Sequence, residues 1–315
     1  MTNTGNWKLG LLLSLITALM WGFLPFSIAP LLTTLDPYTI TFYRLGGGGF
    51  LLFVWLVSHK HRPAPRNLSP VVYILLIIAI LCICGNYLYW LKGLDLTTPA
   101  TSQVVIQIAP MLLLLGSVVI YKEDFSFKQG IGVAIFVAGL LLFFNQRLGD
   151  LLAEVSDYNL GIFYIVFASI IWAIYALVQK RLLQNFQPLE LIFIIVSVGS
   201  LLFLPYATPS DITKLDTLQL WMLGFGTVNT AVAYGCFTEA MRHWDTSRVS
   251  AVVAIVPVLT LIIGYLLYTV FPDFLQAESI NNLSIMGAIV VVVGSAITAL
   301  SKASTKTDQA YIDYD

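Results

Sequence analysis

The chain has 315 residues, 58% of them hydrophobic and only 10% charged, with a mean hydropathy of +0.86. Ordinary soluble domains run at roughly 45–50% apolar and about 25% charged, so there is too little polar side chain here to cover a water-facing surface. Sixteen Lys and Arg against 17 Asp and Glu leave no basic excess, which excludes a nucleic-acid binder.

A membrane-spanning helix takes about 20 residues. Apolar stretches at 9–29, 37–57, 70–91, 100–120, 129–144, 159–179, 188–206, 217–238, 247–270 and 283–301 predict ten of them. The run after Lys8 is too long for the core of a secretory signal, and Pro30 follows its only cleavage-like site, so it reads as the first span. The connections carry the turn chemistry, as in Arg62-Pro63-Ala64-Pro65, Thr208-Pro209-Ser210-Asp211 and Phe271-Pro272-Asp273. Cys82, Cys84 and Cys236 all fall inside apolar runs with no CxxC spacing, and read as small buried hydrophobes.

Orientation follows from Lys and Arg. With the N-terminus inside, 12 of the 16 basic residues fall in cytoplasmic segments. Lys92, Arg147 and Lys214 alone fall outside, and Arg44 lies within a span. The bias holds at each turn of the chain, which predicts both termini in the cytoplasm.

The two halves resemble each other. At an offset of 151, Trp21 falls on Trp172, Pro37 on Pro188, Phe42 on Phe193 and Gly48 on Gly199. At 147, Tyr87 falls on Tyr234 and Pro110 on Pro257; at 155, Gly132 and Gly139 fall on Gly287 and Gly294. Five spans per half is an odd number, so the second half enters from the opposite side. The expected fold is an all-α integral membrane protein of ten transmembrane helices in two inverted five-helix repeats. The repeats occupy 1–145 and 159–301, with a cytoplasmic tail at 302–315. Such architectures belong to transporters, with the site between the repeats near the midplane.

The run Tyr89 to Gly139, with Gly93-Leu94, Ala100, Pro110, Glu123, Gly132 and Gly139, resembles the EamA-type domain of the drug/metabolite transporter superfamily. Trp21-Gly22 and Arg44 are similar to its first and second helices. Tyr234, Glu239-Ala240-Met241-Arg242 and Pro257 are similar in the second copy, which departs after Leu267, where Tyr268-Thr269-Val270 replaces the acidic motif. The resemblance implies a ten-helix inverted-repeat carrier of small metabolites, often moved outward.

Arg44 is the one charge well inside a span, and a charge there is a functional hypothesis by default. The alternative is an anchor that snorkels toward the near helix end. Gly46-Gly47-Gly48-Gly49 beside it reads as close packing or a joint. Gln103 and Gln107 share one helix face, and with Asn86, Asn229, Thr230 and Tyr234 they either glue helices together or line a polar cavity. Trp21 and Trp172 are repeat partners placed as a gating pair would be, with Tyr175 nearby, whereas Trp90 reads as interface belt. Pro110 and Pro257 are candidate hinges, since each frees a carbonyl from its helix bond.

No His, Asp or Glu lies deep in a span and no HExxH occurs. The reading therefore has no catalytic residue, no metal and no cofactor, and no group suited to proton coupling. The expected partners are the lipid bilayer and a small-molecule substrate, without nucleic acid, and a homodimer is left open. The expected location is a bacterial-type plasma membrane. The expected function is export of small, weakly charged metabolites such as amino acids or amphipathic compounds. The alternatives are a non-transporting sensor or structural membrane protein, and a sugar-phosphate or nucleotide-sugar exchanger; a phosphate would call for more than one cation.

Overall fold

A computed structural model describes residues 6–59, 68–122, 125–146, 156–244, 246–271 and 280–301. Arg62, Pro63, Pro65, Glu123, Arg147, Asp245, Pro272, the tail and the side chain of Arg242 lie outside the described residues.

Among the described residues the chain is all-helical. The helices are α1 (Trp7–Leu32), α2 (Pro37–Ser58), α3 (Pro70–Leu96), α4 (Pro99–Val105), α5 (Ile108–Tyr121), α6 (Phe127–Phe143), α7 (Asp157–Leu182), α8 (Pro188–Phe203), α9 (Thr217–His243), α10 (Thr246–Val253), α11 (Val256–Val270) and α12 (Asn282–Leu300). A 3₁₀ turn, Pro209–Lys214, joins α8 to α9. Local chemistry sets the starts. Pro37, Pro70, Pro99 and Pro188 stand at first-turn positions that lose no helix bond. Asp36 accepts from the Tyr38 and Thr39 amides at 2.8 and 3.1 Å, and Ser126 and Gln129 form a reciprocal capping box.

Among the described residues, seven stretches are long and apolar enough to cross a membrane: Trp7–Leu32, Pro37–Ser58, Pro70–Leu96, Pro99–Ile120, Asp157–Leu182, Arg248–Val270 and Asn282–Leu300. Two shorter apolar helices, Phe127–Phe143 and Pro188–Phe203, accompany them. The sequence pattern anticipates ten spans, and the count by length and composition is lower. α6 and α8 have only 17 and 16 residues, near the lower limit for a span. Trp90 also differs from its expected place: it is buried in the helix-packing core, not in an interface belt.

Two of the expected continuous helices are broken. The stretch beginning at Pro99 is interrupted at Ile106–Gln107, where Gln107 N reaches only Val104 O (3.3 Å) and Ala109 N only Ile106 O (2.9 Å). The stretch before Val270 is interrupted at Ala254–Ile255, with Ile255 N bonded to Val252 O at 3.2 Å. The first break lies three to four residues before Pro110 and the second two to three before Pro257. The proline lacks an N–H and its ring collides with the carbonyl four residues back, so the backbone tightens by one turn there.

Packing is reciprocal between the halves. α1 lies along α9 and α7 along α3, α2 pairs with α8, and α6 pairs with α12. Thr17 Oγ1 donates to Ala233 O (3.2 Å) and Asn86 Nδ2 donates to Ala168 O (3.0 Å). These two bonds join positions equivalent under the offsets of 151 and 147, with donor and acceptor exchanged. The α6–α12 crossing is the tightest. A Cβ on Gly139 would stand 2.5 Å from Val291 N, and one on Gly294 would stand 2.5 Å from Phe136 N. Only glycine lets the two backbones approach this closely. Asn145 and Asn281 close one end of the pair with amide bonds of 3.2 and 3.0 Å.

The four glycines of α2 are spent on packing. Side chains at Gly46 and Gly49 would strike Ser200 and Ser197 of α8, and side chains at Gly47 and Gly48 would strike Thr227 and Thr230 of α9. The run therefore seats α2 against both helices at once and brings Arg44 into the middle of the bundle.

Candidate functional site

Arg44 is 3% exposed. Its guanidinium carbon lies 4.7 Å from the centre of the Tyr87 ring, within cation–π range. Its stem runs over Gly226 of α9, where an added Cβ would stand 3.6 Å from the Arg44 Cγ and Cδ. Its Nε has no hydrogen-bond partner, and no carboxylate among the described residues pairs with it. A buried cation costs several kcal/mol (order of magnitude) unless it is paired; aromatic faces recover about 2 kcal/mol at best. The arginine is thus held in place with its charge largely uncompensated.

Next to Tyr87 lies a small cleft with room for about one water (≈ 10 Å³), lined by Ile83 and Tyr87 of α3, Tyr175 of α7, Ile192, Ile195 and Val196 of α8, and Tyr234 of α9. Tyr234 is where the aromatic residues meet. The Trp21 ring stands edge-on to it at 5.5 Å, and the Trp172 side chain is hydrogen-bonded to it. Tyr175 bonds the Gln179 side chain. The two repeat-related tryptophans therefore meet the same tyrosine, and the repeat-related Tyr87 and Tyr234 both neighbour Arg44. The symmetry fails at the cation, because the residue equivalent to Arg44 at offset 151 is Ile195, on the opposite wall.

The carboxamides stand elsewhere, around α1. Pro25 lies inside that helix, so Trp21 O loses its partner four residues on. Gln103 Nε2 of α4 donates to Trp21 O (3.1 Å), Asn229 Nδ2 of α9 donates to Met20 O (2.8 Å), and Thr260 Oγ1 of α11 donates to Gly22 O (3.1 Å). Three successive carbonyls are thus taken by three other helices. Asn86 likewise binds a backbone carbonyl, on α7, and Thr230 bonds Gly226 O of its own helix at 3.1 Å. Gln107 is buried at the α4–α5 break, just before Pro110.

Of the expected site residues, Tyr175 and Tyr234 line the space; Trp21 and Trp172 stand behind Tyr234, and Arg44 stands behind Tyr87. The structure uses Asn86, Gln103 and Asn229 as clamps between helices. The sequence pattern does not mark Pro25, marks Lys92 only as one of three basic residues on the outer side, and marks Tyr87 only as a repeat partner. A mid-span proline was available as a signal for the first; nothing local marks Tyr87 as the ring beneath the arginine.

The EamA-like transporter family model matches residues 8–145 and again 159–300, nearly the whole chain. This chain belongs to the EamA-like transporter family. It is an integral membrane protein. The uncharacterized inner membrane transporter YhbE of Escherichia coli (strain K12) is 34% identical, over 93% of this chain and 91% of that protein. An uncharacterized transporter of Haemophilus influenzae is 30% identical, over 93% of this chain and 95% of that one. A crystal structure matches with a TM-score of 0.67 at 18% identity, covering 94% of this chain and 97% of that one, a likeness of fold.

Proposed function

We propose that the protein is a carrier, not an enzyme, which moves small, weakly charged metabolites such as amino acids or amphipathic compounds by alternating access. The observation that carries this reading is Arg44, buried with an unpartnered Nε beside a space walled by Tyr87, Tyr175 and Tyr234. A single cation in an aromatic setting suits one acidic group on a body that is otherwise apolar or zwitterionic. Phosphate-bearing substrates would be served by a cluster of Lys or Arg at the site itself, and the residues that line the space include none.

The space holds about one water, whereas small-molecule sites run to roughly 300–1,000 Å³. The helices must separate to admit a substrate, which suits a structure closed around its site. The proline breaks in α4–α5 and α10–α11, and the freed Trp21 carbonyl of α1, are where such a motion can be absorbed. In this reading the chain forms ten spans as two inverted repeats, 1–145 and 159–301. α4 with α5, and α10 with α11, count as one span each. Both termini are cytoplasmic, in a bacterial-type plasma membrane, and transport runs outward. A reporter fused after Ser301 reads cytoplasmic if the orientation is right.

The test of the site is a panel of labelled compounds in reconstituted vesicles: an amphipathic amino acid, its amide and the corresponding amine. The carboxylate-bearing member moves and the other two do not, and Arg44→Gln lowers that flux at least tenfold while Arg44→Lys retains part of it. Equal flux by all three in the unaltered protein would refute the assignment.

A further inference from the structure

Lys92 of α3 is a second cation in the same gap between helices. Its Nζ donates to the Tyr38 phenol of α2 at 3.1 Å and stands 5.0 and 5.9 Å from the centres of the Tyr38 and Tyr89 rings. Among the described residues it has no carboxylate partner. The arrangement mirrors the central one. At the deep level the cation comes from α2 and the tyrosine from α3, as Arg44 on Tyr87; at the level of Lys92 the cation comes from α3 and the tyrosine from α2. The levels are six residues apart on α2 and five on α3, roughly 7.5–9 Å at 1.5 Å per residue.

The rings that flank Lys92 belong to the helices that wall the central space. Tyr38 packs with Phe203 at the end of α8 (6.3 Å) and with Tyr206 just beyond it (5.9 Å). Tyr89 packs with Tyr164 and Phe167 of α7 at 5.7 and 4.8 Å. Lys92 therefore stands one level nearer the helix ends, over the α2–α3–α7–α8 gap. A lysine serving only as an interfacial anchor extends its ammonium into water or headgroups; this one is half-buried and turned onto a half-buried phenol between α2 and α3.

We propose that Lys92 is a relay site for the substrate's carboxylate, the step between Arg44 and the aqueous phase at the end where α3 finishes and α2 begins. The proposal rests on the reading of Arg44 as the substrate cation. An anion leaving a buried cation for water must cross an apolar throat, and a second cation about 7.5–9 Å further along the helix axes lowers that barrier. Each cation resting on a tyrosine face keeps either site from holding the anion too tightly to release it.

The test reads the electrostatics directly and needs no natural substrate. The Ile195→Cys reporter is placed in the wall of the central space, in a chain whose three native cysteines are replaced, and reconstituted in phosphatidylcholine vesicles. Its rates with an anionic and a cationic methanethiosulfonate of similar size are compared. The anionic reagent is expected to react about tenfold faster, the order for a unit charge within ~10 Å in a partly watered site. Lys92→Gln lowers the preference several-fold, and Lys92→Arg restores it. Millimolar benzoate slows the anionic reagent in the Lys92 chain more than in Lys92→Gln.

A preference unchanged in Lys92→Gln but abolished in Arg44→Gln overturns the relay and leaves the central site standing. A preference near one in every variant, as when a lipid phosphate occupies the ammonium, also overturns the relay. A reporter unreactive toward both reagents in every variant, while the protein remains folded, overturns the relay together with the central space.

Discussion

Gln103 and Pro25 should be energetically coupled through one carbonyl. Trp21 O cannot bond within α1, because residue 25 is a proline and carries no N–H. Gln103 Nε2 takes that oxygen from α4 at 3.1 Å, and Gln103 is only 5% exposed. Gln103→Leu keeps the volume and the apolar packing but leaves the carbonyl unsatisfied. A buried acceptor without a partner costs about 1–3 kcal/mol, and bonds between membrane helices average about 0.6 with a ceiling near 1.7 kcal/mol. The expected loss is therefore about 1–2 kcal/mol. In a Pro25→Ala background residue 25 regains its N–H, α1 can close over Trp21 O, and Gln103→Leu should then cost close to nothing. Unfolding of the four proteins of this cycle, followed under identical lipid conditions, yields the coupling term. An equal cost of Gln103→Leu in both backgrounds would show that the amide is not there to serve the proline's orphan carbonyl. The same cycle bears on motion: if the clamp is exchanged during transport, Pro25→Ala slows flux even where it raises stability.

Gly139→Leu drives a side chain into the α12 backbone at Val291; it should lose folded protein in the membrane, by several kcal/mol, whereas Gly224→Leu, at a glycine with open space around it, should be nearly silent in size-exclusion profiles and unfolding curves. A second expectation concerns energy. The central space is walled by tyrosines and aliphatic residues, the charge nearest its Tyr87 wall is Arg44, and arginine does not release its proton. Flux should follow the substrate's own gradient. A pH step imposed on vesicles with equal substrate on both sides produces no net movement, and uphill movement that collapses with a protonophore would defeat this reading.

Much of the fold could be read from local chemistry. Low charge and long apolar runs identify a membrane protein, because hydrocarbon tolerates few charges. The starts at Pro37, Pro70 and Pro188 follow from a fixed φ and a missing N–H, and hold at those residues. The repeat offsets pick out Tyr87 with Tyr234 and Gly139 with Gly294 before any packing is known, since equivalent positions meet equivalent demands. Arg44 stands out because a charge inside a span is costly.

What Arg44 faces was settled only in three dimensions. Its partner ring comes from α3, its floor from Gly226 on α9, and the far wall from Ile195 on α8, and no spacing along one helix encodes which neighbours converge. The carboxamides show the same limit. Gln103 and Asn229 are equally suited to line a cavity or to clamp a backbone. The choice fell in part to Pro25, on another helix, which frees Trp21 O where Gln103 arrives, one residue from the Met20 O that Asn229 meets. A polar side chain in hydrocarbon must find a partner, and its sequence states that need; only the packing of the other helices decides which oxygen meets it.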